Sequence, residues 1–334
     1  MRRFGPVGLA AARVAVAGIG VLVLGLASPA KAQRPDYPNR NITFIVGFAP
    51  GGGIDTFARV VVQELNEQAG FAQPGVSVVI ENRAGAASNI AAKVVAAAAP
   101  DGYTLLFTGN SYAINQTLYK NPGYATADLQ PVVFVAIDSM ALAVNAANPA
   151  RSLPEFLAAG KTMPFNFGFG GSSARIGAEY VFNVLAKANA TGVPFQSGAP
   201  ALNALLGRHV DIITAPVAEV HPQITQGAVR ALAVTGARRA SALPDTPTLD
   251  ELGLPGLGIN GWIGILAPAK TPPDICAKLN AAVNRIVGRP NVDSRLRVLG
   301  YEPYVGTFTE AGGFLKRQID TWGNLIRATG ISAD

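Results

Sequence analysis

Residues 42–55, which read ITFIVGFAPGGGID, decide the fold of this chain. The apolar run at their start predicts a buried strand, and the loop after it contains Pro50 and three glycines. Asp55 then opens a segment with apolar residues at helical spacing. A strand that leads through glycines into a helix points free backbone N–H groups at the space above the strand end, and an anion fits there. A tight turn without a ligand is the alternative reading.

Strands and helices alternate along the first part of the chain, which predicts a parallel sheet covered by helices. Ligands of such sheets lie beyond the carboxyl ends of the strands. The loops at 47–54 and 108–111 each follow a predicted strand, so we expect them on the same rim. Asp55 is placed to cap the helix after the first loop. We also count it among the candidate ligand contacts, although its charge would repel an anion and favours the capping role.

A second α/β series is predicted farther along the chain. The apolar stretch 132–144 is interrupted at Asp138 and Ser139 and predicts a first crossing into another domain. Residues 261–267 predict the strand that returns. Between these crossings, residues 169–175 repeat the opening pattern of strand, small-residue loop and helix start. The sequence therefore predicts two anion loops, one in each domain.

The N-terminus has the pattern of an export signal. Arg2 and Arg3 precede an apolar run at 14–26, and Ala30-Lys31-Ala32 follows it. This pattern predicts a secretory signal peptide over residues 1–32, cut before Gln33, and hence a periplasmic protein. The alternative is a transmembrane anchor, for which the apolar run is short.

Charge and cysteine usage exclude several classes of function. Of the 27 basic and 21 acidic residues, four basic and no acidic ones lie in residues 1–32, so the mature chain carries a net charge of about +2. Such a balance gives no support for nucleic-acid binding. Cys276 is the single cysteine and is expected in the core. His209 and His221 have no neighbour at metal-ligand spacing, so we expect no metal and no cofactor.

The stretch 48–59, FAPGGGIDTFAR, resembles the opening motif of the substrate-binding proteins of tripartite tricarboxylate transporters, of the Bordetella-uptake-gene type. Further blocks resemble this family in the right order over essentially the whole mature chain. These blocks are residues 81–85, 100–106, 193–195, 232–235, 243–248 and 266–273.

The resemblance implies a type II periplasmic binding protein of the α/β class, in which two lobes with helix-covered mixed sheets enclose a cleft. The expected lobes are residues 33–136 plus 261–334, and residues 137–260. The implied ligand is a small carboxylate, such as a dicarboxylate, an amino-acid-like acid or an aromatic acid, held largely by backbone amides and ordered water. The expected ligand-binding residues lie in strand-end loops of both lobes: Phe48, Ala49, Pro50, Gly51, Gly52, Gly53, Ile54, Asp55, Thr108, Asn110, Ser111, Gly170, Gly171, Ser172, Ser173, Arg175, Phe195, Gln196 and Ala215.

The chain departs from the family pattern in the second lobe. Phe195 and Gln196 stand where tyrosine and lysine are usual, Arg175 where many members carry histidine, and Ala215 where an acid is often found. These positions would set selectivity. Arg175 is either a solvated surface residue or a cation for a second carboxylate.

The resemblance also implies the partners and the kind of protein. The receptor would be a monomer and not an enzyme, and it would deliver its ligand to the membrane subunits of a tripartite transporter. One alternative is a ligand-loaded sensor of a signalling system. A third reading is a periplasmic hydrolase that uses one of the two histidines.

Overall fold

The computed structural model describes Met1 and residues 37–68, 71–195, 197–254, 259–298 and 300–333. The signal peptide predicted over 1–32 and the candidate Gln196 lie outside the described residues. Contacts group residues 36–334 into one unit. Among the described helices, none combines the length and apolar character that a membrane span requires.

The predicted parallel sheet is confirmed in the first part of the chain. The first strand, β1, pairs in parallel with β2 on one side and with β3 on the other. Four of its five residues are apolar and buried, because helices cover both faces of a parallel sheet. The elements are β1 (Ile42–Val46), α1 (Gly53–Glu67), β2 (Val78–Asn82), α2 (Asn89–Ala96), β3 (Thr104–Gly109) and α3 (Ser111–Leu118).

The long strand β4 (Leu129–Asn145) makes the crossing that the sequence predicts. As far as Ser139 it pairs antiparallel with β9 (Asn260–Pro268). From Met140 onward it pairs antiparallel with β7 (Ile212–Pro216). The expected interruption at Asp138 is thus a change of pairing partner, and the strand itself continues without a break.

The second α/β series follows β4. In it β5 pairs in parallel with β6 and β7, while β8 runs antiparallel to β4. A π-helical segment, Tyr180–Leu185, prolongs α5. The elements are α4 (Leu153–Gly160), β5 (Phe165–Phe169), α5 (Ser172–Glu179), β6 (Ala190–Pro194), α6 (Gly198–Leu206), β7, α7 (Val217–Thr225) and β8 (Val229–Val234).

The chain then returns to the first half of the sheet. There β9 lies between β3 and β4, which gives the strand order β2-β1-β3-β9-β4-β7-β5-β6, with β8 and β10 also paired to β4. The closing elements after β9 are α8 (Pro273–Val287), α9 (Pro290–Val298), β10 (Glu302–Pro303) and α10 (Phe308–Thr329). A capping box of Thr307 and Glu310 starts α10. This helix packs against α3, β4 and α5, and so touches both halves of the sheet.

Two polar contacts join the halves near the crossing. Thr235 Oγ1 accepts a hydrogen bond from the Met140 N–H over 3.1 Å and donates one to the Ile259 carbonyl over 2.6 Å. Glu302 Oε1 accepts from the Ser241 N–H over 2.8 Å. The first contact ties the end of β8 to β4, where β4 changes its pairing partner, and to the residue before β9. The second links β10 to the segment after β8.

We predict that Trp322→Ala strongly destabilises the protein. Trp322 is fully buried on α10, in the apolar cluster that this helix shares with β4 and α5. Emptying such a site costs about 3–5 kcal/mol. Urea unfolding measures the loss. The control is Val298→Ala on α9, which should change stability by less than about 0.5 kcal/mol because the valine is 83% exposed. Similar stabilities of the two variants would contradict the packing described for α10.

Candidate functional site

The side chains of Asp55 and Asn82 hold the loop after β1 in shape. Gly51 has a φ of 83°, a left-handed conformation that glycine adopts without strain. Its N–H donates to Asp55 Oδ2 over 2.9 Å. Asn82 Nδ2 donates to the Phe48 carbonyl over 3.0 Å and to Asp55 Oδ1 over 2.8 Å. The Gly52 N–H is also used, since it donates to the Ala49 carbonyl over 3.3 Å. The N–H groups of Gly51 and Gly52 thus have partners, and the donors without a partner in the helix are the first-turn N–H groups of α1, which begins at Gly53.

The expectation that Asp55 caps α1 is wrong. Gly52 is the N-cap and makes no side-chain cap, while Asp55 lies in the first turn. Its carboxylate is fully buried and accepts a hydrogen bond from Arg59 Nε over 2.8 Å. Burial raises the pKa of Asp55, but hydrogen bonds from Arg59, Asn82 and the Gly51 N–H outweigh it and bring that pKa below its ordinary value. Asp55 shapes the loop, and we leave it out of the ligand contacts.

The strand ends of the first half meet on one rim. A Cβ on Gly47 would lie 1.8 Å from Ser88 Oγ, and Ser88 Oγ lies 3.2 Å from Thr108 Oγ1. A Cβ on Gly109 would lie 3.0 Å from Ile54 Cδ1. The loops after β1 and β3 therefore lie together, as the alternation of strands and helices predicts. The second loop is shorter than expected, because α3 begins directly after Asn110.

A left-handed turn at Ala86–Ser88 lies against this rim and is not predicted by the sequence. Its three residues have φ values of 45°, 50° and 77°. Such a conformation costs a residue with a Cβ about 1–2 kcal/mol, and strain of this kind collects at functional sites. Asn115 Nδ2 donates to the Ala87 carbonyl over 2.8 Å and holds the turn. Alanine and serine have no preference for this conformation, so the sequence carries no signal for it.

The loops after β5 and β6 also touch each other. A Cβ on Gly170 would lie 2.0 Å from the carbonyl carbon of Ser197, so the contact requires glycine. Gly171 has a φ of 113° and leads into α5, which starts at Ser172 and Ser173. No side chain caps this helix. The N–H groups of its first turn thus face the strand-end side without a partner from the helix itself.

Arg175 lies in the first turn of α5 and is exposed. Its guanidinium carbon is 5.9 Å from the centre of the Phe169 ring. Arg175 and Ser172 border a cavity of about 90 Å³, whose other walls come from the end of α3 and from residues 331–333. In the part of the chain that the structure describes, no acidic side chain forms an ion pair with Arg175.

Two further candidates in the second half are turned toward the core. The Phe195 N–H donates to the Phe169 carbonyl over 2.9 Å, and its half-buried ring packs with the cluster around α6 and α7. Ala215 is fully buried in the same cluster. It lies inside β7, which extends to Pro216. The Ala215 side chain therefore offers no surface to a ligand.

The first turns of the helices differ in whether they contain an acidic residue. The first turns of α2, α3, α5 and α6 contain no acidic residue. Those of α4, α8, α9 and α10 each contain one. An acidic side chain there balances the partial positive charge of the helix N-terminus. The four helices without one come after strands β2, β3, β5 and β6, so their starts leave the partial positive charge to an external anion. The starts of α1 and α7, which follow β1 and β7, differ from them because they contain Asp55 and Glu219.

The start of α6 differs from the other three, because Glu219 of α7 lies against it. A Cβ on Gly198 would be 1.6 Å from Glu219 Oε2. Loss of hydration in this position raises the pKa of Glu219. A carboxylate of the chain itself therefore faces this helix start, which makes the loop at 195–198 the least suited of the predicted loops to an anion.

An acidic cluster that the sequence does not predict lies beside the start of α1. Tyr301 Oη is 2.7 Å from where a Cβ on Gly53 would lie. Burial, and then the charges of Asp138 and Glu219, raise the pKa of Tyr301. Burial together with Glu219 also raises the pKa of Asp138 well above its usual range. The pKa values of both carboxyls, Asp138 and Glu219, are thus raised mainly because burial disfavours their charged form.

The residues considered for catalysis lie elsewhere. His209 follows α6, and His221 lies within α7, 3.5 Å from Thr225 Oγ1. Cys276 is buried on α8, as predicted, and burial raises the pKa of its thiol to about 11. Among the described residues there is no group of three histidine, cysteine or acidic side chains that could hold a metal ion.

Sequence comparison finds relatives along nearly the whole chain. The model of the family described as tripartite tricarboxylate transporter family receptor matches residues 57–331. Protein BugT of Bordetella pertussis is 34% identical over 326 residues, which cover 95% of this chain and 97% of BugT. A protein encoded in the tcbD-tcbE intergenic region of Pseudomonas sp. strain P51 is 32% identical over 315 residues, which cover 92% of each chain.

Solved structures also resemble this chain over most of its length. The R. palustris protein Rpa4515, solved with adipate, is 31% identical with a TM-score of 0.77, over 89% of this chain and 99% of that one. MatC from Rhodopseudomonas palustris, solved with bound malate, is 31% identical with a TM-score of 0.71, over 87% and 100%. The fold is thus the α/β fold of a two-lobed type II periplasmic binding protein, and these relatives are receptors, not enzymes. The chain belongs to the tripartite tricarboxylate transporter family of receptors.

Proposed function

We propose that this protein is a periplasmic receptor that captures a small carboxylate between two lobes and delivers it to the membrane subunits of a tripartite tricarboxylate transporter. The observation that carries the proposal is the set of uncapped, acid-free helix starts on the strand-end rim. Its relatives add support, because one was solved with adipate and another with malate. A cleavable signal peptide over 1–32 would bring the protein to the periplasm.

The proposed lobes are residues 33–136 plus 261–334, and residues 137–260. The change of pairing partner between Ser139 and Met140 on β4 supports the first boundary. The second lies at the start of β9, where Asn260 pairs with Ser139. A rotation about these two strands would open and close the cleft while each half of the sheet stays intact.

Binding in this proposal begins at the first lobe. The carboxylate common to all ligands docks on the first-turn N–H groups of α1 and α3, near Thr108. The second lobe then closes and adds Ser172, Ser173 and Arg175. Each charge-assisted hydrogen bond contributes about 1.5–3 kcal/mol. Two or three of them, after the ordering cost, are consistent with micromolar affinity, about −8 kcal/mol.

A thermal-shift screen of carboxylic acids at pH 7 tests the proposed function. We expect adipate, malate or an aromatic acid to raise the melting temperature. At concentrations above the dissociation constant, the shift should grow with the logarithm of the acid concentration. The uncharged diamide of each acid is the control and should leave the melting temperature unchanged. No shift with any aliphatic or aromatic acid would refute the proposal.

We predict that Arg175→Ala weakens dicarboxylates selectively. If Arg175 holds a second carboxylate, one lost charge-assisted contact lowers dicarboxylate affinity by about tenfold or more. Monocarboxylates of the same chain length should change little. Titration calorimetry measures both, with the exposed Arg317→Ala on α10 as the control. Equal losses for mono- and dicarboxylates would show that Arg175 does not read the second carboxylate.

We predict that Asp55→Asn destabilises the protein in a pH-dependent way. The pKa of Asp55 is lower in the folded than in the unfolded chain. Its contribution is therefore present above the unfolded value of about 3.9 and is lost as the pH falls through the folded value. Urea unfolding at pH 7 should show a loss of about 1.5–3 kcal/mol, and the gap to the wild type should shrink at pH 3.

The control for this prediction is Asp320→Asn. Asp320 pairs with Lys316 over 2.7 Å on an exposed face of α10, so the loss should stay below about 1 kcal/mol. A gap between wild type and Asp55→Asn that is the same at pH 7 and pH 3 would mean that the ionised carboxylate does not hold the loop.

A further inference from the structure

Three buried polar atoms at the beginning of α3 lack a hydrogen-bond partner: Asn110 Nδ2, Ser111 Oγ and Asn115 Oδ1. Ser111 and Asn115 are four residues apart and so lie on the same face of the helix. Asn115 is only 1% exposed. Buried polar atoms in native proteins are almost always paired, and because solvent does not reach these atoms, bulk water cannot serve them. Their partner is then an ordered water or a bound molecule.

The orientation of the Asn115 amide is fixed by its surroundings. Its Nδ2 donates to the Ala87 carbonyl over 2.8 Å and to Asn89 Oδ1 over 2.7 Å. Asn89 Oδ1 also accepts from the Tyr124 hydroxyl over 3.1 Å. Both partners of Nδ2 are acceptors, so a flipped amide would place oxygen against oxygen. The orphaned atom is therefore an acceptor, and it needs a hydrogen-bond donor.

The polar groups around Asn115 Oδ1 are mostly donors, which need a hydrogen-bond acceptor. Asn110 Nδ2 is a donor, and the first-turn N–H groups of α3 are donors that the Asn110 side chain does not cap. In the hydrogen bond between Ser88 and Thr108, one hydroxyl donates and the other keeps its hydrogen. This end of α3 thus combines several donors, which suit a carboxylate, with the Asn115 oxygen, which does not.

We infer that the receptor selects carboxylates that carry a hydroxyl or ammonium group next to the carboxylate, and that Asn115 Oδ1 reads this group. The inference rests on the proposed function and narrows its ligand class. The carboxylate meets the donors at the start of α3, and the neighbouring O–H or N–H donates to Asn115. The turn Ala86–Ser88 contacts Asn115 and is strained at three residues, so it is the segment that can shift to admit this group.

Titration calorimetry on the full mature chain tests the inference with succinate and its 2-hydroxy, 2-amino and 2-fluoro derivatives. Fluorine is close to a hydroxyl in size and does not donate. We expect the 2-hydroxy or the 2-amino acid to bind about tenfold more tightly than succinate, and the 2-fluoro acid no better than succinate. Equal affinities across the series would overturn the inference while the proposed function stands. No binding by any of the four, or by other carboxylates, would overturn both.

Two variants assign the selectivity to Asn115. Asn115→Ala should remove the preference for the 2-hydroxy or 2-amino acid over succinate, whatever it does to affinity in general. Tyr124→Phe removes a donor from the same network, leaves Asn115 Oδ1 in place and should keep the preference. An Asn115→Ala protein that weakens all four ligands by the same factor would show that Asn115 only supports the turn, and the assignment would fall. If this variant does not fold, the 2-fluoro comparison on the wild type still decides whether a donor is read.

Discussion

The structure depends on one uninterrupted strand, β4, which forms hydrogen bonds with β9 before Ser139 and with β7 after Met140. Because each half of the sheet contains part of this strand, neither half is complete without it. Thr235 secures the point of change, since its hydroxyl accepts from Met140 and donates to the Ile259 carbonyl. In the proposed closure, a hinge built from paired strands would permit rotation about the strand axis and resist sliding, which would keep the two sets of strand-end loops aligned.

The charges near the strand-end rim include acidic side chains as well as Arg175. Asp55 is an acid beside a loop that is expected to attract anions, yet it is buried and bonded to Arg59 and Asn82, so it stiffens the loop. Burial raises the pKa of both Asp138 and Glu219. In the proposed binding, the attraction comes mainly from backbone N–H groups, whose positions are set by the strands and do not depend on flexible side chains.

Much of the fold could be predicted from the sequence, because alternating apolar runs and glycine loops report directly on strand and helix positions. The crossing near Asp138 was also visible as a polar interruption in an apolar run. The details of the candidate site were harder to predict from the sequence than the fold. The left-handed turn at Ala86–Ser88 contains no glycine that would predict it. Nothing in the sequence distinguishes Asn115 from other polar residues on a helix. Glu219 and Tyr301 reach the site through tertiary packing, for which a single sequence has no local signal.

The left-handed turn reverses a common rule of protein stabilisation. Replacing glycine by alanine usually gains stability, because glycine loses about 0.5–1 kcal/mol more than alanine to backbone entropy. At Ala87, whose φ is 50°, the strain of about 1–2 kcal/mol is the larger effect. Glycine should therefore be the more stable residue there, and the chain keeps alanine at the expense of stability. The alanine therefore keeps the backbone beside Asn115 under strain, and a small displacement of the turn can relieve that strain.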